Sequence, residues 1–231
     1  MTWTLDDIAI KIRKDLKIES EKFFSPWEMT SAINDAIRDA ESIIINEFSD
    51  FFLTYADYDL TAGDTFITMP SDVYMARIRY VQWDEDGPDD NTNNDTYHIK
   101  KIRLEEIPWV CTDDRYKYRL LNDATNGLVM NLYPAIQETG TNRIRVWYIR
   151  KAKQLSALTD VCDIPFIGYV ISHVKLRVMF DEGHPLLEIE KVNFDNAKMQ
   201  LIKNVTVMAD DGEDSKFEPS NDTLIAYNEM E

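Results

Sequence analysis

Apolar residues recur at spacings of three and four along Leu5, Ile8, Ile12 and Leu16, the stripe of an amphipathic helix. Thr4 can cap it, and Asp6 and Asp7 suit the positive end of its dipole. The helix is expected to finish near Lys17, before a short link, Ile18–Phe24. Ser25-Pro-Trp-Glu28 then has the form of a capping box, with Pro26 at the first helical position, where its missing N–H costs nothing. Phe24 and Met29 are placed to form the hydrophobic staple. The pattern predicts a second helix to about Phe48, with Ile33, Ala36, Ile37, Ala40, Ile44 and Phe48 inward and Asn34, Arg38, Asp39 and Glu41 outward.

From Phe51 the period changes to two. Phe52–Leu60 and Thr65–Met69 read as strands joined in a hairpin through Thr61-Ala-Gly-Asp64, where Gly63 supplies a positive φ. In Val73–Trp83, Ile78, Tyr80 and Gln82 are expected on one face and Arg77, Arg79 and Val81 on the other. Asp84–Thr96 is polar and reads as an exposed, mobile loop, Tyr97–Arg103 as the return strand, and Leu104–Val110 as a helical turn limited by Pro108. Tyr116–Leu121 and Leu128–Tyr133 form a second hairpin pattern around Asn126-Gly127. Arg143–Arg150 offers two alternating faces, Ile144, Val146 and Tyr148 or Arg145, Trp147 and Ile149. About five or six short antiparallel strands are expected.

Asp163-Ile-Pro165 opens a third helical pattern with Phe166, Ile167, Val170, Ile171, Val174, Val178 and Met179 as its stripe and Gly183 as its stop. A fourth runs from Pro185 to about Met208, with Leu186, Ile189, Val192, Ala197, Leu201 and Val205 inward. The turn between them is short enough for an antiparallel helical hairpin. The predicted fold class is therefore α+β: a four-helix bundle of two hairpin-like pairs (residues 1–50 and 164–208) flanking an inserted antiparallel β block (51–163). An acidic C-terminal arm follows (209–231). The arm carries eight acidic side chains and one Lys, too polar to fold alone. Its apolar residues, Phe217, Leu224, Ile225 and Tyr227, suggest a segment that orders on a partner.

Charge sharpens this picture. There are 42 acidic against 25 basic residues, a formal net charge of −17, which repels phosphate and disfavours a role that grips DNA or RNA. Arg115, Lys117, Arg119, Arg143, Arg145 and Arg150, interleaved with Tyr116, Tyr118, Tyr133, Trp147 and Tyr148, make the β block locally basic. On so acidic a chain the expected target is an acidic protein surface. A basic sheet and an acidic tail in one subunit also suit head-to-tail contact between copies.

Catalytic patterns are missing. There is no phosphate-binding Gly-rich loop, no His-Glu-x-x-His and no Gly-x-Ser-x-Gly. Cys111 and Cys162 form neither a disulfide framework nor a zinc pattern, so a reduced site of synthesis is expected, with Cys162 a buried hydrophobe rather than a nucleophile. His173 reads as structural. The Asp84–Asp90 run misses the calcium-loop spacing. No catalytic residue, cofactor or metal site is expected. Met1-Thr-Trp-Thr-Leu-Asp-Asp7 is not a secretory signal, and no window approaches the roughly 20 apolar residues that span a bilayer, so a soluble chain is expected.

Five phrases in order carry a family resemblance: Ser25-Pro-Trp-Glu28; Thr61-Ala-Gly-Asp-Thr-Phe-Ile-Thr-Met-Pro-Ser-Asp72; Leu128-Val-Met-Asn-Leu-Tyr-Pro134; Ile144-Arg-Val-Trp-Tyr-Ile-Arg-Lys151; and Leu155–Pro165. Together, over roughly residues 1–208, they resemble the head-to-tail adaptor (connector, tail-tube-A-like ring) proteins of tailed bacteriophages. The departures lie at turns: Met69-Pro70 replaces Leu-Pro, Ala135 or Ile136 replaces a second proline, and Arg150–Lys153 lacks one.

The resemblance implies a structural virion protein rather than an enzyme. It would be made in the bacterial cytoplasm and placed at the portal vertex, as a ring of probable twelvefold order below the portal protein. A downstream tail, nozzle or second-ring protein would be the other partner, and DNA would pass through the lumen unbound. It further implies that the C-terminal arm, with Phe217, Leu224, Ile225 and Tyr227, runs along the portal, and that Arg115, Lys117, Arg119, Arg143 and Arg145 face the tail side or a neighbouring copy. A generic scaffold module and a hydrolase built on a carboxylate pair are the alternative readings.

Overall fold

Residues 2–17, 25–84, 96–107 and 115–213 are described by a computed structural model of the chain. The link Ile18–Phe24, the staple residue Phe24, Pro108, Cys111, most of the Asp84–Thr96 loop and the arm residues Phe217, Leu224, Ile225 and Tyr227 lie outside the described residues. The chain divides into two units, Met1–Phe51 with Ala152–Glu231, and Phe52–Lys151.

The first unit is helical: α1 (Leu5–Leu16), α2 (Pro26–Glu47), α3 (Ile167–Asp181) and α4 (Leu187–Glu213). Both expected N-terminal caps form as reciprocal capping boxes. The Thr4 and Ser25 hydroxyls accept from the amides of Asp7 and Glu28, whose carboxylates return to the cap amides. Each hydroxyl also donates to the same carboxylate at 2.7 Å, and this bond, followed by that of the cap amide, holds the Asp7 and Glu28 carboxyls below the usual range. Ser25→Ala is expected to lower the stability of the helical unit by about 1 kcal/mol, measurable by thermal unfolding. Gly183, at φ 62°, closes α3: its amide bonds to the Phe180 carbonyl and that of His184 to the Met179 carbonyl, the pairing that satisfies the last carbonyls of a helix.

Helix α2 packs against α3 and α4, and α1 against α3 and α2, which buries Ile8, Ile12, Ile33, Ile37, Ile44, Tyr169, Val174, Leu201 and Val205. Several expected faces need correction. Helix α3 begins at Ile167 rather than at Asp163, and its N-cap, Phe166, makes no side-chain bond; Phe166 and Ile167 are half-buried and Tyr169 joins the core. Glu41, expected outside, is buried and accepts from the Ala152 amide. Asn34 is half-buried, its amide group bonding both the carbonyl and the N–H of Leu155 (2.9 and 2.8 Å). On α4, Ala197, Leu201 and Val205 are inward, but Leu186, Ile189 and Val192 are exposed. The helix turns Glu190 to the core in that first stretch, where Lys175 receives it.

Residues Ala152–Asp163, expected with the strands, bond to the helical unit instead. Besides the Asn34 and Glu41 contacts, Cys162 donates to the Trp3 carbonyl, and Leu5 and Asp6 donate to Asp160 and Leu158.

The second unit holds eight strands among the described residues, not five or six: β1 (Leu53–Leu60), β2 (Phe66–Thr68), β3 (Val73–Asp84), β4 (Thr96–His98), β5 (Lys100–Lys101), β6 (Lys117–Asp123), β7 (Gly127–Tyr133) and β8 (Gly140–Arg150). They form two four-stranded sheets, ordered β1-β8-β3-β4 and β2-β7-β6-β5. The β6–β7 hairpin around Asn126-Gly127 forms as expected, with Gly127 at φ 70°. The β1–β2 hairpin does not: β1 pairs with β8 and β2 with β7. Gly63 (φ 96°) turns the chain from one sheet to the other, and its amide bonds to the Ile136 carbonyl. The β5–β6 pairing is parallel, the exception to the antiparallel rule. Of the helical turn expected over Leu104–Val110, Leu104–Glu106 is a single 3-10 turn.

Met75 and Ala76 both take positive φ (45° and 56°), and the β3–β8 register shifts between Val73 and Tyr80. This bulge breaks the expected alternation of β3, so that Val81 and Trp83 point inward while Ile78 and Tyr80 are only half-buried. Facing side chains of the two sheets, among them Ile67, Val81, Trp83, Tyr118, Met130, Leu132, Ile144 and Val146, make one core. The inward face of β8 is therefore Ile144, Val146 and Tyr148, with Ile149 also buried.

Candidate interaction surfaces

With both sheets turned inward onto one core, the alternate residues of each strand form two outer faces pointing in opposite directions. The expected basic platform is split between them. Lys117 and Arg119 project from β6 on the outer face of the second sheet, beside Asn131 and Tyr133 of β7. Arg115 is exposed just ahead of β6. Arg143 and Arg145 belong to β8, on the outer face of the first sheet. The five side chains thus do not make a single patch.

Arg145 is held by Asp57 through two bonds, Nε to Oδ1 at 2.7 Å and a terminal nitrogen to Oδ2 at 2.9 Å. Its guanidinium lies 4.4 Å from the Tyr55 ring centre. The carboxylate bond pushes the Arg145 pKa further up, so it is a permanent cation with its charge already matched.

Register places Tyr55, Trp147 and Tyr80 in one row across β1, β8 and β3. The Tyr55 and Trp147 rings are 4.9 Å apart, and Tyr80 stacks on His98 at 4.6 Å. The pattern of period two was visible in the sequence, but the row depends on which strands pair. Below Phe66 on the other face, Leu121, Asn122, Asp123, Asn126, Val129 and Asn131 line a shallow groove of 320 Å³.

Two groups that could act as nucleophiles, Cys162 and Tyr148, are muted by burial. Burial pushes the Cys162 thiol up to about 11, so it is protonated at neutral pH and a poor nucleophile. It lines a shallow groove of 340 Å³ with Trp3, Pro165 and Phe166. Burial also raises the Tyr148 hydroxyl, which bonds to Asp72, to about 12. Among the described residues, no cluster of three His, Cys, Asp or Glu side chains is placed to hold a metal ion, and no helix is long and apolar enough to cross a membrane.

His173, read as structural, sits between α2 and α4. Its ring is 5.7 Å from that of Phe194, and its Nε2 is 3.9 Å from Asp39, which also accepts from the Tyr169 hydroxyl. Arg177, one turn on, donates to Asp35 at 2.6 Å. Burial is the main influence on His173 and lowers its pKa below the ordinary 6.5, against the opposing pull of Asp39. Protonation therefore favours the unfolded chain: the contribution is complete above pH 6.5 and is lost as pH falls through the lowered folded value. His173→Phe is expected to flatten this part of the stability curve in urea titrations. An unchanged slope would assign it to the depressed carboxylates, which act nearer pH 4.

No curated protein is significantly similar to the chain. The family model described as SU10 adaptor protein matches residues 3–203, a span that takes in the N-terminal helices, both sheets and most of α4. By that match across nearly its whole length, the chain belongs to the SU10 adaptor family of bacteriophage structural proteins.

Proposed function

We propose that this protein is the head-to-tail adaptor of a tailed phage: copies form a ring of twelve that joins the portal protein to the next tail component and encloses part of the DNA channel. The observation that carries this reading is the family match over residues 3–203. The fold agrees in kind, since its outer sheet faces carry aromatic and charged side chains suited to contact. The helical unit and the β-rich unit are proposed to bear different contacts, the β-rich one toward the tail or a neighbouring copy through Arg115, Lys117, Arg119 and Arg143. Phe217, Leu224, Ile225 and Tyr227 of the C-terminal arm are proposed to lie against the portal. The site of action is the virion neck, and the role is structural rather than enzymatic.

An excess of 17 negative charges suits a lumen that does not adhere to passing DNA. Carboxylates are expected on the inner wall of the ring; a basic or neutral wall would sink that part of the proposal. The whole reading is tested by imaging virion necks labelled on this chain, alongside light scattering of the purified protein with and without portal. Label at the neck and a ring on the portal are expected. Label elsewhere in the particle would overturn the reading.

A further inference from the structure

Among the described residues, the β-rich unit has two sides at which the end strands pair along one edge only. The first sheet begins with β1 and the second with β2, and the chain passes from β1 to β2 through Thr61–Thr65 alone. At the other side β4 and β5 are the end strands, separated only by Ile99. The Phe52 carbonyl accepts from the Arg150 amide, so in the antiparallel β1–β8 ladder the alternate residues Leu53, Tyr55 and Asp57 turn their backbone groups away from β8. Among the described residues no backbone bond from another element reaches that edge. The strand contains no Lys, Pro or Gly and exposes Leu53 and Tyr55 (41 and 48 %); the irregularity in its ladder lies at its far end, between Tyr58 and Leu60, so Leu53–Asp57 keep a regular edge.

Charge separates the two sides. From Phe51 to Asp72 the chain carries Asp57, Asp59, Asp64 and Asp72 and no cation. From Thr96 to Arg103 it carries Lys100, Lys101 and Arg103 with His98, and no carboxylate. Asp57 pairs with Arg145 and Asp59 accepts from the Asn142 amide at 2.8 Å; the side chains of Asp59, Lys100, Lys101 and Arg103 are all exposed.

We infer that the β1 side of one copy docks on the β4–β5 side of the next, an acidic edge against a basic one, as the contact between neighbouring subunits. Two different patches on one subunit make a head-to-tail interface, the kind that closes into a ring when its rotation allows. Added strands gain main-chain bonds along the edge, and the charges set partner and register. The inference rests on the ring reading and names the face that would build the ring.

The test mixes unlabelled and isotope-labelled full-length chain, alone and on portal, and couples carboxylates to lysines with a zero-length carbodiimide. Mass spectrometry of mixed-label peptides is expected to join Asp59 or Asp57 to Lys100 or Lys101. Lys101→Glu should weaken self-association about fivefold, and Lys101→Glu with Asp59→Lys should recover it, as expected of a charge pair across an interface. Cross-links between copies that avoid these residues, or self-association unchanged by Lys101→Glu, would overturn the edge contact and leave the ring standing. A chain that gives no cross-link between copies, even on portal, would overturn both.

Discussion

Replacing Lys175 by Met is expected to destabilise the helical unit by about 2–3 kcal/mol, because it strands a buried carboxylate. Glu190 is 4 % exposed, and its Oε1 has no hydrogen-bond partner. Its Oε2 lies 3.3 Å from the Lys175 ammonium and accepts from the Asn193 amide group at 3.1 Å. Lys175 also reaches Asp15 of α1 at 3.7 Å, so one ammonium ties α1 and α4 to α3. Removing one partner of a fully buried pair costs about 3–5 kcal/mol; partial exposure of Lys175 and Asp15 trims the expected loss. Asp15 keeps Lys11 at 2.8 Å and adds little to it. The companion Lys175→Met with Glu190→Leu should return to wild-type stability or exceed it, since apolar replacement of a buried pair is commonly neutral or favourable. Urea unfolding followed by far-ultraviolet circular dichroism measures both. A single variant as stable as wild type would mean that water reaches Glu190.

Trp83→Ala is expected to cost the β-rich unit about 3–5 kcal/mol, through lost burial and the cavity left behind. The indole is 5 % exposed and packs 4.3 Å from the Tyr116 ring and 6.2 Å from that of Tyr97. It thus bridges β3 of one sheet, β4 beside it and the approach to β6 of the other. Each aromatic contact adds about 0.5–1.5 kcal/mol beyond area. Trp83→Phe keeps a ring in place and should lose well under half as much. The measurement is urea unfolding followed by far-ultraviolet circular dichroism; equal losses for Ala and Phe would show that ring contacts contribute nothing there.

Both sites show where local reading stops. Glu190 lies among residues of helical period, and a phase shift of about one residue decides whether Ile189 and Val192 or Glu190 faces the core. Sequence favoured the apolar pair, and the ammonium of Lys175, from another helix, reversed the choice. Trp83 stood at the end of the β3 pattern and was assigned no face. The positive φ of Met75 and Ala76 leaves little local trace, since neither residue is a usual occupant of that region. The interface residues divide the same way. Lys117, Arg119, Arg143 and Arg145 could be found as basic positions in strands, but not their division between opposite faces, which depends on β6 and β8 belonging to different sheets.

By itself the sequence determined what is local: four helices with their caps at Thr4, Ser25 and Gly183, the Asn126-Gly127 hairpin, the two alternating faces of β8 though not which of them is inward, and the ordered phrases that carry the family. These depend on bonds spanning a few residues and on side-chain period. Only the tertiary structure decided what is non-local: that the chain after Gly63 crosses to a second sheet instead of folding back, that Ala152–Asp163 joins the helices through Asn34 and Glu41, and that eight strands share one core. Each is chosen among distant partners of similar local pattern, and the choice is made by whichever pairing buries the most apolar surface while leaving no amide or charge unmatched.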